Sequence, residues 1–374
     1  AGDTFDGTGS QGEQKKPFAI QVSFPDPHAP NEAPRKYAEM VPPSSIKLPP
    51  TREGEFDDSS APERNRVLYE MLNLDGKSEE EVRNIVGTYL AMTRFVDDGV
   101  GRIIDKVDEM GIRDNTIIVF TADHGDFGGE HNMFGKGGVY YDSLVRVPYI
   151  VSWPGGGVPQ GAVDDSPVST IDLLPTILQL SGVADFMDSP TKESDQYFPP
   201  AGPRLLADID SNIVTSESLR RIQGKLLPTV TAAPARVAAF SEYGTGGSAF
   251  TMEMLNTLPV KAGSPAIMDS LWVREAEGRR KMVRTREWKY VTDLSSASAG
   301  KLDQSTAYSE DELYDLKNDP WELTNVAQVA ENVGVISNMR ALLIDWMLET
   351  EDYNPVPLPT LLGRGPKPEI DTRR

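Results

Sequence analysis

Cysteine is missing from all 374 residues, and histidine occurs three times. No disulfide framework and no thiolate metal site can be built, and the redox compartment is left open. Basic residues are in short supply: Lys plus Arg is 37 against 57 for Asp plus Glu, a net charge of -20. That excludes nucleic acid, or an anionic membrane surface, as a partner bound through a general positive field. An anionic small substrate held by a local cation or a metal stays compatible with it. No apolar run is long enough for a transmembrane helix. The Gly/Asp/Thr/Ser-rich opening from Ala1 does not read as a signal peptide. There is no Asn-x-Ser/Thr sequon, which argues against a glycosylated secreted eukaryotic chain. A hydrophobic fraction of 39% is ample for a sizeable core in one large domain or two.

What is present is organised around residues 116–126. Thr116 to Thr121 are β-branched or apolar without alternation, as in a strand covered on both faces. The strand runs straight into Asp123, His124, Gly125 and Asp126. In an open α/β sheet ligands sit just beyond the carboxyl ends of strands, so these residues are candidates for chemistry. Glycines at 125, 128 and 129 let the backbone turn tightly, and Glu130, His131 and Lys136 follow on the same loop. The remaining histidine, His28, ends another apolar stretch, Phe18–Phe24, within a stiff proline-rich turn.

The flanking chain is consistent with an α/β domain over 1–185. Ser78 with Glu81 makes a capping box for a helix over 78–110, with Val82, Ile85, Val86, Tyr89, Val96, Val100, Ile103 and Val107 as its core stripe. Further strands are expected over 18–24 and 147–153, and a helix over 169–181. Residues 186–235 read as an irregular connection. From 236 the texture changes to short alternating strands over 238–243, 270–274, 280–284, 288–291 and 312–316, closed by a helix over 332–349. This predicts a small antiparallel sheet with one helix over 236–350, followed by a Pro-rich tail over 351–374.

The order of these pieces resembles the sulfatase family of the alkaline-phosphatase-like superfamily. The resemblance rests on Asp26-Pro27-His28, Thr121–Asp126, Gly129-Glu130-His131, Gly135-Lys136-Gly137, Arg146-Val147-Pro148, Thr170–Thr176, Arg284–Tyr290 and Leu313–Leu316 with Asp319-Pro320. It implies an alkaline-phosphatase-like sandwich around a mostly parallel sheet, of which this chain carries the second half, with a small C-terminal α+β domain. It implies hydrolysis of a sulfate ester by a formylglycine nucleophile. Asp123 and His124 would hold a divalent metal, calcium in most relatives, with magnesium or manganese as alternatives. Lys136 would grip the sulfate group, and His28 would contact the sulfate or its leaving oxygen. His131, Glu130 and Asp126 would line the substrate pocket or orient the metal ligands, with a structural loop network as the alternative. Asp142, Arg146 and Asp172 read as packing braces.

One feature of the family is missing. Its Cys- or Ser-x-Pro-x-Arg nucleophile motif has a single lookalike here, Ser60-Ala61-Pro62-Glu63-Arg64, which lies after His28 rather than well before it. The nucleophile is therefore expected from an N-terminal chain or segment of the same protein. The resemblance favours a periplasmic or secreted location. A phosphodiester or phosphonate monoester hydrolase of the same superfamily, or a non-catalytic truncated fragment, remains open beside the sulfatase.

Overall fold

The computed structural model describes residues 17–57, 61–182, 184–185, 204–205, 223–246, 251–257, 278–293 and 311–350. Helix α1 (Glu63–Leu72) starts on Pro62 and buries Arg64, Asn65, Val67 and Leu68. Helix α2 (Glu79–Glu109) begins where the capping box placed it. Ser78 N–H donates to Glu81 Oε2 at 2.7 Å, and Glu81 N–H donates to Ser78 Oγ at 3.3 Å. Glu79, Glu80 and Glu81 complement the positive end of the helix. Its buried set is Val86, Gly87, Ala91 and Met92. Of the expected stripe Val86 is buried, Val82, Ile85, Tyr89, Val96, Val100 and Val107 are half-buried, and Ile103 is exposed.

Strand β1 (Ile118–Thr121) leads into a tight hairpin of β2 (Phe127–Gly128) and β3 (Phe134–Gly135). Helix α3 (Asp142–Val145) and strand β4 (Tyr149–Ser152) follow, then helix α4 (Leu173–Leu180). Strand β4 pairs antiparallel with β1, Thr121 opposite Tyr149 and Ile118 opposite Ser152. The mostly parallel sheet expected from the sequence is not formed: every ladder among the described residues is antiparallel. The non-alternating run of β1 signals cover on both faces, but it does not specify neighbours, and each of its residues is only half-buried. The strand expected over 18–24 also joins no ladder. It is extended and exposed, with Phe18, Ile20, Val22 and Phe24 in solvent. Its one close packing point is Gly99 of α2, where an added Cβ would lie 2.9 Å from the Phe24 ring.

The C-terminal part is a four-stranded antiparallel sheet. It holds β5 (Ala239–Gly246), β6 (Gly278–Arg284), β7 (Trp288–Asp293) and β8 (Glu312–Asp315), in the spatial order β8-β7-β6-β5. Helix α5 (Val333–Glu349) packs Ile336, Met339, Leu343 and Met347 against Val283, Tyr290 and Leu313. Each such side chain contributes about 1.5–3 kcal/mol of burial. The expected strand at 270–274 and the tail over 351–374 lie outside the described residues, as does most of 186–235. Among the described residues no helix is long and apolar enough to cross a membrane.

The two parts are joined by apolar and ionic contacts. Phe56, Leu68, Phe127, Met133, Tyr141 and Leu144 share one core with Tyr314 and Leu316 of the C-terminal part. Lys289 of β7 is fully buried and bonds Asp142 of α3 at 2.5 Å and Glu322 at 2.6 Å. Arg284 adds a second bond to Asp142 at 2.7 Å. Arg280, also buried, pairs with Glu312, which accepts from Asn65 Nδ2 at 2.9 Å. Burial works against the Asp142 charge, but Lys289 and Arg284 outweigh it and hold its carboxyl well below the usual 3.8. Burial instead pushes Glu322 up. Two acids around one ammonium thus titrate apart.

Removing Lys289 leaves the buried Glu322 without its cation and Asp142 with Arg284 alone. Lys289→Met is expected to cost about 3–5 kcal/mol, read as a lower urea midpoint. The depressed Asp142 contributes stability above the unfolded carboxylate value, and that stability is lost as the pH falls below about 4. Asp142→Asn should flatten this acid limb in urea titrations run at a series of pH values, and an unchanged limb would refute the assignment.

Candidate active site

The residues after β1 are placed by one close backbone contact. Gly125 N–H donates to the Leu144 carbonyl at 2.8 Å, so the Asp123–Asp126 loop lies directly on α3. A Cβ on Gly125 would come within 1.9 Å of the Ser143 carbonyl oxygen, which explains the glycine between His124 and Asp126. Lys136 is held in a similar way. Its neighbour Gly137 packs on Leu68 of α1, where a Cβ would lie 2.2 Å from Cδ1. Asp123, His124 and Lys136 then line a single cavity of about 1120 Å³ together with Arg146, Tyr149 and Arg284.

Asp123 is exposed, and its Oδ1 accepts the His124 N–H at 3.0 Å. Its slight burial works against the charge, but that N–H, the His124 ring and Lys136 outweigh it and hold Asp123 below the usual carboxylate value. The His124 ring places Nδ1 2.8 Å from the Gly125 carbonyl. With Nδ1–H donating there, Nε2 keeps a free lone pair, 3.7 Å from Asp123 Oδ2. A carboxylate oxygen and an imidazole nitrogen so disposed fit two positions on one side of a divalent cation. Calcium takes about six to eight ligands. Among the described residues no group of three or more His, Cys, Asp or Glu could hold a metal.

Asp126 orients the lysine. Its carboxylate lies 3.9 Å from Lys136 Nζ and accepts the Tyr89 hydroxyl at 3.2 Å. Burial and Asp126 push the Tyr89 phenol well above its usual value, so it stays a neutral donor. Tyr89 was legible only as part of the α2 stripe. The signal available was that a tyrosine in an apolar stripe brings a hydroxyl that needs a partner. Glu130 turns back to accept the Gly128 N–H at 2.5 Å.

Asp126 and Glu130 lie outside the cavity lining, and so do two further candidates. His131 is buried, with Nδ1 2.7 Å from Glu55 Oε1 and its ring stacked 3.8 Å from that of Tyr141. The substrate contact expected of it is replaced by a structural role, because Glu55 lies far away in sequence and could not be foreseen as its partner. His28 is exposed, and its Nδ1 lies 2.8 Å from the Ala29 carbonyl. The structure does not bring it to Asp123, His124 or Lys136. Of the expected braces, Asp142 binds Lys289 and Arg284, and the buried Asp172 pairs with Arg236. Among the described residues Arg146 makes no side-chain hydrogen bond or ion pair, and it is exposed.

The sulfatase family profile matches residues 4–183. A sulfatase of Escherichia coli K12, YidJ, is 26% identical over 337 residues, covering 90% of this chain and 52% of that protein. An ulvan-active sulfatase of Formosa agariphila is 31% identical over 176 residues, 46% of this chain and 30% of that protein. The crystal structure of a phosphonate monoester hydrolase of Agrobacterium radiobacter shares the fold, with a TM-score of 0.60 at 24% identity, over 91% of this chain and 58% of that one. The chain thus spans about half the length of the relatives it matches most fully. Residues 4–183, which hold Asp123, His124 and Lys136, are thus similar to the sulfatase family.

Proposed function

We propose that this chain forms the C-terminal part of a metal-dependent sulfatase that hydrolyses a sulfate ester. The observation that carries the proposal is the convergence of Asp123, His124 and Lys136 on one cavity. A carboxylate and an imidazole can hold one side of a divalent cation, and an ammonium beside them can hold the anion that the cation attracts. Calcium fits the carboxylate, and magnesium or manganese is an alternative. When bound, the cation would polarise the ester oxygens as a Lewis acid.

Within this chain Asp123 supplies a carboxylate held in its charged form, and His124 presents Nε2. Lys136, aimed by Asp126, offsets charge on the transferring group. His28 is assigned no step, since it is exposed and is not among the residues lining the cavity. A formylglycine nucleophile and the remaining metal ligands would come from a segment outside this sequence. Three features support that part of the proposal. The donor pair is too small for a cation alone. The outer edge of β1 is unpaired among the described residues, and the apolar side chains of 18–24 are exposed. Such a segment would also supply the neighbours of a mostly parallel sheet. The second reading is a phosphonate monoester hydrolase, favoured by the shared fold with the Agrobacterium enzyme.

Protein isolated from its native source should turn over 4-nitrophenyl sulfate faster than a phenyl phosphonate monoester, and the reverse order would select the second reading. Lys136→Met should lower kcat/KM for the sulfate ester roughly 100-fold or more. Unchanged turnover in that variant would sink the assigned role. Titration of this chain alone with calcium or manganese should show weak binding, with Kd above about 10⁻⁴ M. Asp123→Asn should abolish that binding; tight binding that survives the substitution would place the cation elsewhere.

A further inference from the structure

The β2–β3 hairpin separates Asp123 and His124 from Lys136, and both of its ends meet one side chain of α2. Where the chain enters the hairpin, the Tyr89 hydroxyl donates to Asp126 Oδ2 at 3.2 Å. Where it leaves, two residues before Lys136, the Tyr89 ring meets the Phe134 ring edge-on, with centroids 6.3 Å apart and planes at 88°. The bend between the two strands rests on the same helix. Gly129, at φ 103°, would place a Cβ 3.9 Å from Val86 Cγ2. Val86 and Tyr89 are three residues apart on α2 and therefore neighbours on its surface. One helix face thus supports the hairpin at its entry, its bend and its exit.

Among the described residues the Asp126 carboxylate accepts one hydrogen bond, the one from Tyr89. Its other oxygen, Oδ1, lies 3.9 Å from Lys136 Nζ, too far to be held by a direct hydrogen bond from the ammonium. Without Tyr89 the carboxylate would be free to turn about its side-chain torsions, and the ion pair would set no position for the lysine. Phenylalanine would fill the same space in the α2 stripe, so the hydroxyl is the part that packing leaves unexplained. Burial and the Asp126 charge both disfavour the ionised phenol, which keeps it a donor. Neither Tyr89 nor Asp126 lines the cavity, whereas Lys136 does.

We propose that Tyr89 is a positioning residue: through Asp126 it fixes the Lys136 ammonium relative to Asp123 and His124, so that an anionic group gripped by the lysine also faces the cation site. Tyr89 acts only through the lysine. This inference rests on the cavity being the substrate site of the proposed hydrolase, and it deepens the part given there to Lys136. Misplacing a catalytic contact by about 1 Å can cost about 100-fold in rate. Losing one hydrogen bond at Asp126 slackens the lysine without removing it, so the expected loss is smaller than that of Lys136→Met.

The test is a double-mutant cycle on protein from its native source, with 4-nitrophenyl sulfate or the phenyl phosphonate monoester as substrate, whichever is turned over faster, and rates taken per mole of folded enzyme. Tyr89→Phe keeps the ring contact with Phe134 and removes the donor. It should lower kcat/KM roughly tenfold, chiefly in kcat, because Lys136 keeps its charge and loses only its placement. In the Lys136→Met background the same substitution should change kcat/KM by less than about twofold. A tyrosine that merely supports the fold would cost the same factor in both backgrounds, and that result overturns the proposal. So does an unchanged kcat in Tyr89→Phe, or a loss confined to KM. A loss in Lys136→Met with Tyr89→Phe silent removes Tyr89 and leaves the hydrolase reading standing. If the unsubstituted protein turns over neither ester, or Lys136→Met is as fast as it, the hydrolase reading falls and this inference with it.

Discussion

The buried ammonium of Lys289 is the constraint on which the site's geometry depends. It sits between Asp142 at the start of α3 and Glu322 of the C-terminal part, with no exposure of its own. A buried charge is tolerated only when it is paired and fully bonded. Here the pairing fixes α3 against the C-terminal sheet. Helix α3 in turn offers the Leu144 carbonyl to Gly125. Through that bond, an ion pair far from the chemistry sets where Asp123 and His124 stand.

This chain of dependence explains why a short helix carries so much. Asp142–Val145 is only one turn long and would not be stable by propensity alone. It is held by the Lys289 and Arg284 bonds at its first residue, by burial of Leu144, and by the Asp142 N–H bond to Glu322 at 2.6 Å. The next residue, Arg146, is then presented with a definite backbone position and a free side chain. The C-terminal sheet is thus not an independent appendage, since it supplies the cations that hold the loop bearing the metal candidates.

Some of this was legible in the sequence and some was not, for identifiable reasons. The α2 start was legible because a capping box is local, three residues from end to end. The clustering of Asp123, His124 and Lys136 was legible because one glycine-rich loop carries all three. Strand direction was not, because the run from Ile118 to Thr121 records burial and says nothing of which neighbour runs beside it. His131 was misjudged because its partner Glu55 lies 76 residues away. Asp142 and Arg146 looked alike on one short stretch, yet their fates diverge because Lys289, 147 residues downstream of Asp142, claims the acid and no acid claims the arginine.

The division of labour among the charges follows from these partners. Cations that stabilise the fold, Lys289 and Arg280, are fully buried and paired with carboxylates. Lys136 is partly exposed, and its one carboxylate sits at 3.9 Å, too far to neutralise it by a direct hydrogen bond. An ammonium so placed keeps most of its field for an incoming anion. In a strongly acidic protein, long-range attraction cannot draw that anion in. Affinity must come from short-range contacts inside the cavity, where a lowered dielectric makes each of them count for more.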